Sequence, residues 1–135
     1  MMHFRQAAGV TGISAAVLAL ALVTVSAQAP TVKRTVLQKV DISAPGREAV
    51  TAKAEIPPTG STGKHTHFGE EIGYLAEGTL TLEVEGVPAR TVNAGEAFNI
   101  PAGKVHNATN NAAGSAVAVV TYIVEKGKPL TTPVP

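Results

Sequence analysis

Between residues 50 and 125 the chain sustains no helical repeat. It runs in short segments whose apolar residues return at every second position, each cut off by glycine or proline. Val50, Ala52, Ala54 and Ile56 alternate with Thr51, Lys53 and Glu55, and Leu80, Leu82 and Val84 alternate with Thr81, Glu83 and Glu85. Successive side chains on a strand point to opposite faces, so this period describes strands with one wet and one dry face. Pro57-Pro58-Thr59-Gly60, Glu77-Gly78, Glu85-Gly86, Asn93-Ala94-Gly95-Glu96 and Pro101-Ala102-Gly103 supply turns between them. Residues 35–42, 89–92, 97–100 and 104–108 read as further strands. The longest candidate, 115–125, is apolar on both faces and is expected to be covered on each side. Many short strands at such spacing predict an all-β sandwich or barrel.

The first residues carry a different pattern. Arg5 stands in a start without acids, an eleven-residue apolar run follows from Ala15 to Val25, and Ser26, Ala27 and Ala29 are small. That order describes a secretory signal peptide over residues 1–27, cut after Ala27. Eleven apolar residues are too few to span a bilayer, which needs about 20, so no stable membrane anchor is expected after cleavage. The expected address is periplasmic or secreted. The remainder divides into an N-terminal extended segment with the first strand (28–43), a β-barrel (44–126) and an extended C-terminal tail (127–135), which could lie on a neighbouring subunit.

Without Arg5, 10 of the 11 basic residues face 10 acids, and no basic patch or aromatic series stands out, so nucleic acid is not an expected partner. The chain has no cysteine. An exported domain without disulfides must draw its stability from its core, a bound metal or a partner subunit.

Three of the four histidines belong to one constellation. His65 and His67 are two apart and share a strand face. Glu71 returns to that face if the strand continues through Gly69, and His106 comes from a distant strand. Imidazole nitrogens and one carboxylate suit a divalent transition ion: Mn, Fe, Ni, Cu or Zn, with donor type alone not choosing among them. Parity selects Glu71 over its neighbour Glu70, which should face outward. Gly73 would leave room beside the ion, Tyr74 would face away, and Phe98 and Ile100 read as core. Asn110 reads as a turn residue, with support of His106 as the alternative. Lys104 reads as an exposed lysine that could guide an anionic substrate at the mouth of the site.

These residues resemble the two cupin motifs. The first is commonly written Gly-x5-His-x-His-x3/4-Glu-x6-Gly, and here it runs His65-x-His67-x3-Glu71-x6-Gly78, with Thr59 where the leading glycine belongs. The second is matched in full by Gly95-x5-Pro101-x-Gly103-x2-His106-x3-Asn110. The resemblance implies a double-stranded β-helix, or jelly roll, holding one metal ion by His65, His67, Glu71 and His106, and a homodimer. It names no reaction, since cupins include dioxygenases, isomerases, lyases and proteins without catalysis. Dioxygenase-like chemistry on a small molecule, with Glu71 as the possible base, is the favoured expectation. Isomerase or lyase chemistry comes next, and a non-enzymatic ligand- or metal-binding module is the alternative.

Overall fold

The computed structural model describes residues 30–135. The expected signal peptide lies outside the described residues. Ten strands follow in order: β1 (Lys33–Asp41), β2 (Arg47–Ile56), β3 (His65–Thr66), β4 (Gly69–Glu77), β5 (Thr79–Val84), β6 (Val87–Asn93), β7 (Ala97–Ile100), β8 (His106–Thr109), β9 (Ala116–Glu125) and β10 (Thr132–Pro133). They form two five-stranded antiparallel sheets, β1-β2-β9-β4-β7 and β10-β3-β8-β5-β6. Two facing sheets with long crossovers between them make the double-stranded β-helix that the motifs imply.

The alternation in the sequence becomes the wall of the barrel. Val50, Ala52, Ala54 and Ile56 of β2 point inward beside Ala116, Ala118, Val120, Tyr122 and Val124 of β9, and all are buried. Leu80 and Leu82 of β5 close the core from the second sheet. Several inward residues on β2 and β9 are alanines. Small side chains let facing sheets hold both an aliphatic core and a polar cluster without overpacking.

Two expectations need correction. The histidine strand does not run on through Gly69. It stops after Thr66, and the chain passes from the second sheet to the first at His67 and Phe68, then resumes as β4. The crossing seats Gly69 against β9 so closely that a Cβ there would lie 1.9 Å from the Ile123 carbonyl oxygen. The other correction concerns β9. Its inner face is buried, but among the described residues no layer covers its outer face, where Val119 stands exposed with Ile72 and Tyr74 of the neighbouring β4. A central strand in a sandwich needs a dry face on one side only, and its outer residues are β-branched because they fit a pleated surface.

The C-terminal segment is extended and lies against its own barrel. Thr132 and Pro133 pair with Thr66 and His65, and the Val134 amide donates to the Lys64 carbonyl at 2.9 Å. Asn110 is fully buried. Its amide nitrogen donates to the carbonyls of Ile56 and Gly114, and its oxygen accepts from the Ala112 amide. It therefore locks the end of β2 to the loop before β9, a turn role in a buried setting.

Thr59, at the position of the leading motif glycine, has a φ of 62°. A β-branched residue in the left-handed region is strained by about 1–3 kcal/mol, and the strain persists because the Thr59 amide is held by the Asn110 carbonyl at 2.9 Å. Gly60 cannot relieve it, since its own missing Cβ leaves space for the Pro57 carbonyl. Thr59→Gly is expected to stabilise the fold by about 1 kcal/mol after the added flexibility of the unfolded chain is set against the relief. Thermal unfolding should show a midpoint higher by about 4–8 °C; an unchanged or lower midpoint would mean that the strain is already relaxed.

Candidate metal centre

The four donors reach one point from both sheets. His65 of β3 sits directly across from His106 of β8, with ring centroids 4.2 Å apart. Glu71 projects from β4 on the facing wall. His67 belongs to neither strand: it sits in the crossing between the sheets, its ring 4.7 Å from that of Tyr122. All four side chains are buried, and their donor atoms lie within 4.8 Å of one another. The same-strand argument of the sequence thus fails while its result holds. The crossing places His65 and Glu71 on opposite walls, and each faces inward from its own wall.

Backbone carbonyls fix the three rings. His65 Nδ1 donates to Gly63 at 2.8 Å, His106 Nδ1 to Lys104 at 2.9 Å and His67 Nδ1 to Leu130 at 2.5 Å. A carbonyl oxygen can only accept, so Nδ1 carries the proton in each ring and Nε2 of the neutral ring is left with a lone pair. His67 and His106 nonetheless direct Nε2 at the same Glu71 oxygen, at 2.8 and 3.2 Å. Lone pairs do not face a carboxylate oxygen without a positive charge to join them. Either these rings are protonated twice, or a cation is shared among the donors.

Burial pushes the His65 ring down to about 4, so it is neutral near pH 7. Burial also acts on Glu71, in the raising direction, but hydrogen bonds from His106 and His67 outweigh it and hold the carboxyl down to about 2. With a cation in place of the Nε2 protons on His67 and His106, the site would offer imidazole lone pairs and one anionic oxygen in a dry setting, the donor set that a divalent transition ion takes. These four residues could hold such an ion.

The other singled-out residues separate clearly. Glu70 and Tyr74 face outward, as parity requires. Phe98 and Ile100 are buried in the core, and Phe98 also lines the cavity beside the donors. Gly73 does not leave space for an ion: a Cβ there would lie 2.1 Å from the Phe98 ring, so its place is taken by the aromatic edge. Lys104 is exposed and lines a different surface cleft; its contribution to the centre is its carbonyl. Asn110 supports the loop and makes no hydrogen bond to His106.

Two residues at the site escape the sequence. Arg34 of β1 and Tyr122 of β9 line the same cavity as His65, Glu71 and His106. One arginine in a first strand gives no pattern to read. Tyr122 did carry a signal, being the one phenol on an inward row of alanine and valine. Burial, and next the Glu71 carboxylate, push its pKa well above the ordinary value, so it is a neutral hydroxyl.

Comparison with known proteins agrees with this construction. Residues 52–122, which carry His65, His67, Glu71 and His106, match the cupin domain. Among solved structures, the polyketide cyclase RemF from Streptomyces resistomycificus is similar at 26% identity with a TM-score of 0.60, over 77% of this chain and 71% of that one. A cupin superfamily protein from Desulfitobacterium hafniense DCB-2 is similar at 13% identity with a TM-score of 0.60, over 75% of this chain and 84% of that one. The DMSP lyase DddQ from Ruegeria pomeroyi DSS-3 is similar at 18% identity with a TM-score of 0.63, over 76% of this chain and 51% of that one. A search of curated proteins finds no match. The family match spans more than half of the chain and contains all four donors, and the chain belongs to the cupin family.

Proposed function

We propose that the protein is a metal-dependent enzyme acting on a small molecule, with His65, His67, Glu71 and His106 holding one divalent transition ion. The observation that carries this reading is the anchoring of all three rings by Nδ1, which commits three Nε2 lone pairs and one carboxylate to a common point. A bound ion of this kind polarises a coordinated substrate oxygen and lowers its pKa. The four donors leave room for a substrate oxygen on an ion that prefers five or six ligands. The similarity to a polyketide cyclase supports a small-molecule substrate. Dioxygenase-like chemistry is favoured over isomerase or lyase chemistry. Glu71 serves first as the anionic ligand; a carboxyl held down to about 2 is a weak base until it gives up its bonds to His67 and His106. We also propose export by a signal peptide over residues 1–27, and a homodimer, for which the exposed Ile72, Tyr74 and Val119 on the open sheet face are the supporting observation.

A second reading, a non-enzymatic module that binds a metal or small ligand, draws on a different observation. The cavity beside the donors is about 30 Å³, room for one or two water-sized groups.

Elemental analysis of untagged protein recovered from its native compartment should find one divalent ion per chain, and Glu71→Gln should weaken its retention by at least about tenfold. Metal-free wild-type protein with no affinity for zinc, manganese, iron, nickel or copper would overturn the enzyme reading and leave the module only as a binder of a small ligand. A panel of flavonols, catechols and diketones, run with and without oxygen, separates them. Metal-dependent turnover supports the enzyme; stoichiometric binding without turnover supports the module.

The buried His65 generates a pH dependence. Its folded pKa, about 4, lies below its ordinary 6.5, so the unfolded chain takes up a proton that the folded chain refuses. Its contribution to stability is complete above pH 6.5, declines as pH falls below that value, and is lost once pH passes below about 4. Melting midpoints of the metal-free protein from about pH 7.5 to about pH 4 should fall, and His65→Gln should flatten the slope. A variant with the wild-type slope would assign the dependence to other groups.

A further inference from the structure

The cavity at the donor cluster has room for one or two water-sized groups, while the function proposed for the site needs an organic molecule there. Part of the wall must therefore move. Strands β2 and β9 are ten residues long and paired on both sides within the first sheet, so displacing either breaks a full ladder. The segment from Lys128 to Val134 is held far more lightly. Its strand, β10, is two residues long at the edge of the second sheet, and Pro133 has no amide proton to give the ladder. Arg34, on β1 at the edge of the first sheet, donates to the Thr131 hydroxyl at 3.4 Å, a long contact. The Lys128 ammonium lies 5.3 Å from the centroid of the exposed Phe68 ring. The chain just before this segment is tied down: the Lys126 amide donates to the Gly46 carbonyl at 3.0 Å, and its ammonium meets Asp41 at 2.8 Å. Gly127 comes between the two, with a φ of 74° and open space where a Cβ would stand. A glycine between a tied strand end and a lightly held segment is placed to act as a hinge.

We infer that residues 128–134 form a lid, hinged at Gly127, whose lifting admits a ligand larger than the closed cavity and whose closing aims the His67 ring. The ligand half of this inference rests on the small-molecule reading of the site; the lid itself rests on the packing. Three contacts join the segment to the centre. The Leu130 carbonyl accepts from His67 Nδ1, Thr131 meets Arg34 on the cavity wall, and Pro133 pairs with His65. Lifting breaks all three together. It frees the His67 ring to turn and bares the seam beside His65 and Arg34. Closing restores them, and the partly buried Leu130 side chain, packed on the core, favours the closed state. Access to the centre and the aim of one of its rings are thus a single event.

Amide hydrogen exchange of the purified wild-type protein is the first test. Residues 128–134 should exchange at least about tenfold faster than β2 and β9, and equal protection overturns the lid. The second test locks the segment. The chain has no cysteine, so Thr66→Cys/Thr132→Cys can close one internal disulfide only. These residues are paired across β3 and β10, and paired Cα atoms stand about 4.5–5.5 Å apart, within the reach of a disulfide. Lys64→Cys/Val134→Cys, one rung further, replaces this pair if it folds poorly or stays open. In metal-free protein, modification of His67 by diethyl pyrocarbonate, located by mass spectrometry, should be at least about tenfold slower when cross-linked and recover on reduction. Equal rates in the two forms overturn the lid. For the ligand half, cobalt-loaded protein is mixed with acetohydroxamate and followed by cobalt absorption. The cross-linked form should bind at least about tenfold more slowly than the reduced form, and an unchanged rate overturns that half. If the protein takes up no cobalt, the metal reading fails by itself, while exchange and His67 modification still decide the lid.

Discussion

Three backbone carbonyls hold the centre together. Gly63, Lys104 and Leu130 each accept the Nδ1 proton of one histidine, and they come from three loops far apart in the chain. Each of these bonds chooses a tautomer and aims a ring. Without them three imidazoles in a dry interior would rotate to satisfy one another, and their lone pairs would not meet. The polar cluster is tolerable in an apolar barrel because each ring has its Nδ1 paired with a carbonyl, and His67 and His106 also turn Nε2 to Glu71. Imidazoles aimed in this way beside a carboxylate are the residues that could hold a cation, which is the reading proposed for the site.

The barrel exists to bring those loops together. Its sheets are built from alternating strands with small inward side chains, and the chain changes sheet between His65 and Glu71. One short stretch therefore supplies both walls of the centre. His67 sits at the change itself, in contact with Tyr122 on one side and the C-terminal segment on the other. Gly69 permits the close approach that the change demands, and Gly73 gives its volume to Phe98. The inner face is thus committed residue by residue. The outer face of the first sheet is free to carry the exposed apolar row that the homodimer proposal uses.

Much of this was legible in the letters. Strand alternation at 50–56 and 79–85 reported inward and outward faces correctly, because period-two burial is a local property. The spacing of His65, His67, Glu71 and His106 carried the donor set, since side-chain type and separation survive without knowledge of the path between them. What was lost is what depends on the path. The letters at Thr66 to Gly69 do not say that the chain changes sheets there. The apolar run of β9 does not say which of its faces is open. Thr59 looked like a departure from a pattern and turns out to occupy the backbone conformation of the glycine that it replaces. Arg34 was invisible for a different reason: its significance lies in what surrounds it, and a lone cation in a β-branched segment resembles any surface residue.

The hydrogen bond between His67 and the Leu130 carbonyl has a consequence in time. The His67 ring is aimed by Leu130, well beyond β9 in the chain, while the cavity wall includes Arg34 of β1. Strand β1 and the Leu130 segment must therefore meet across the barrel before the His67 ring takes its final aim, so under the proposed metal reading an ion would enter a domain that has already folded.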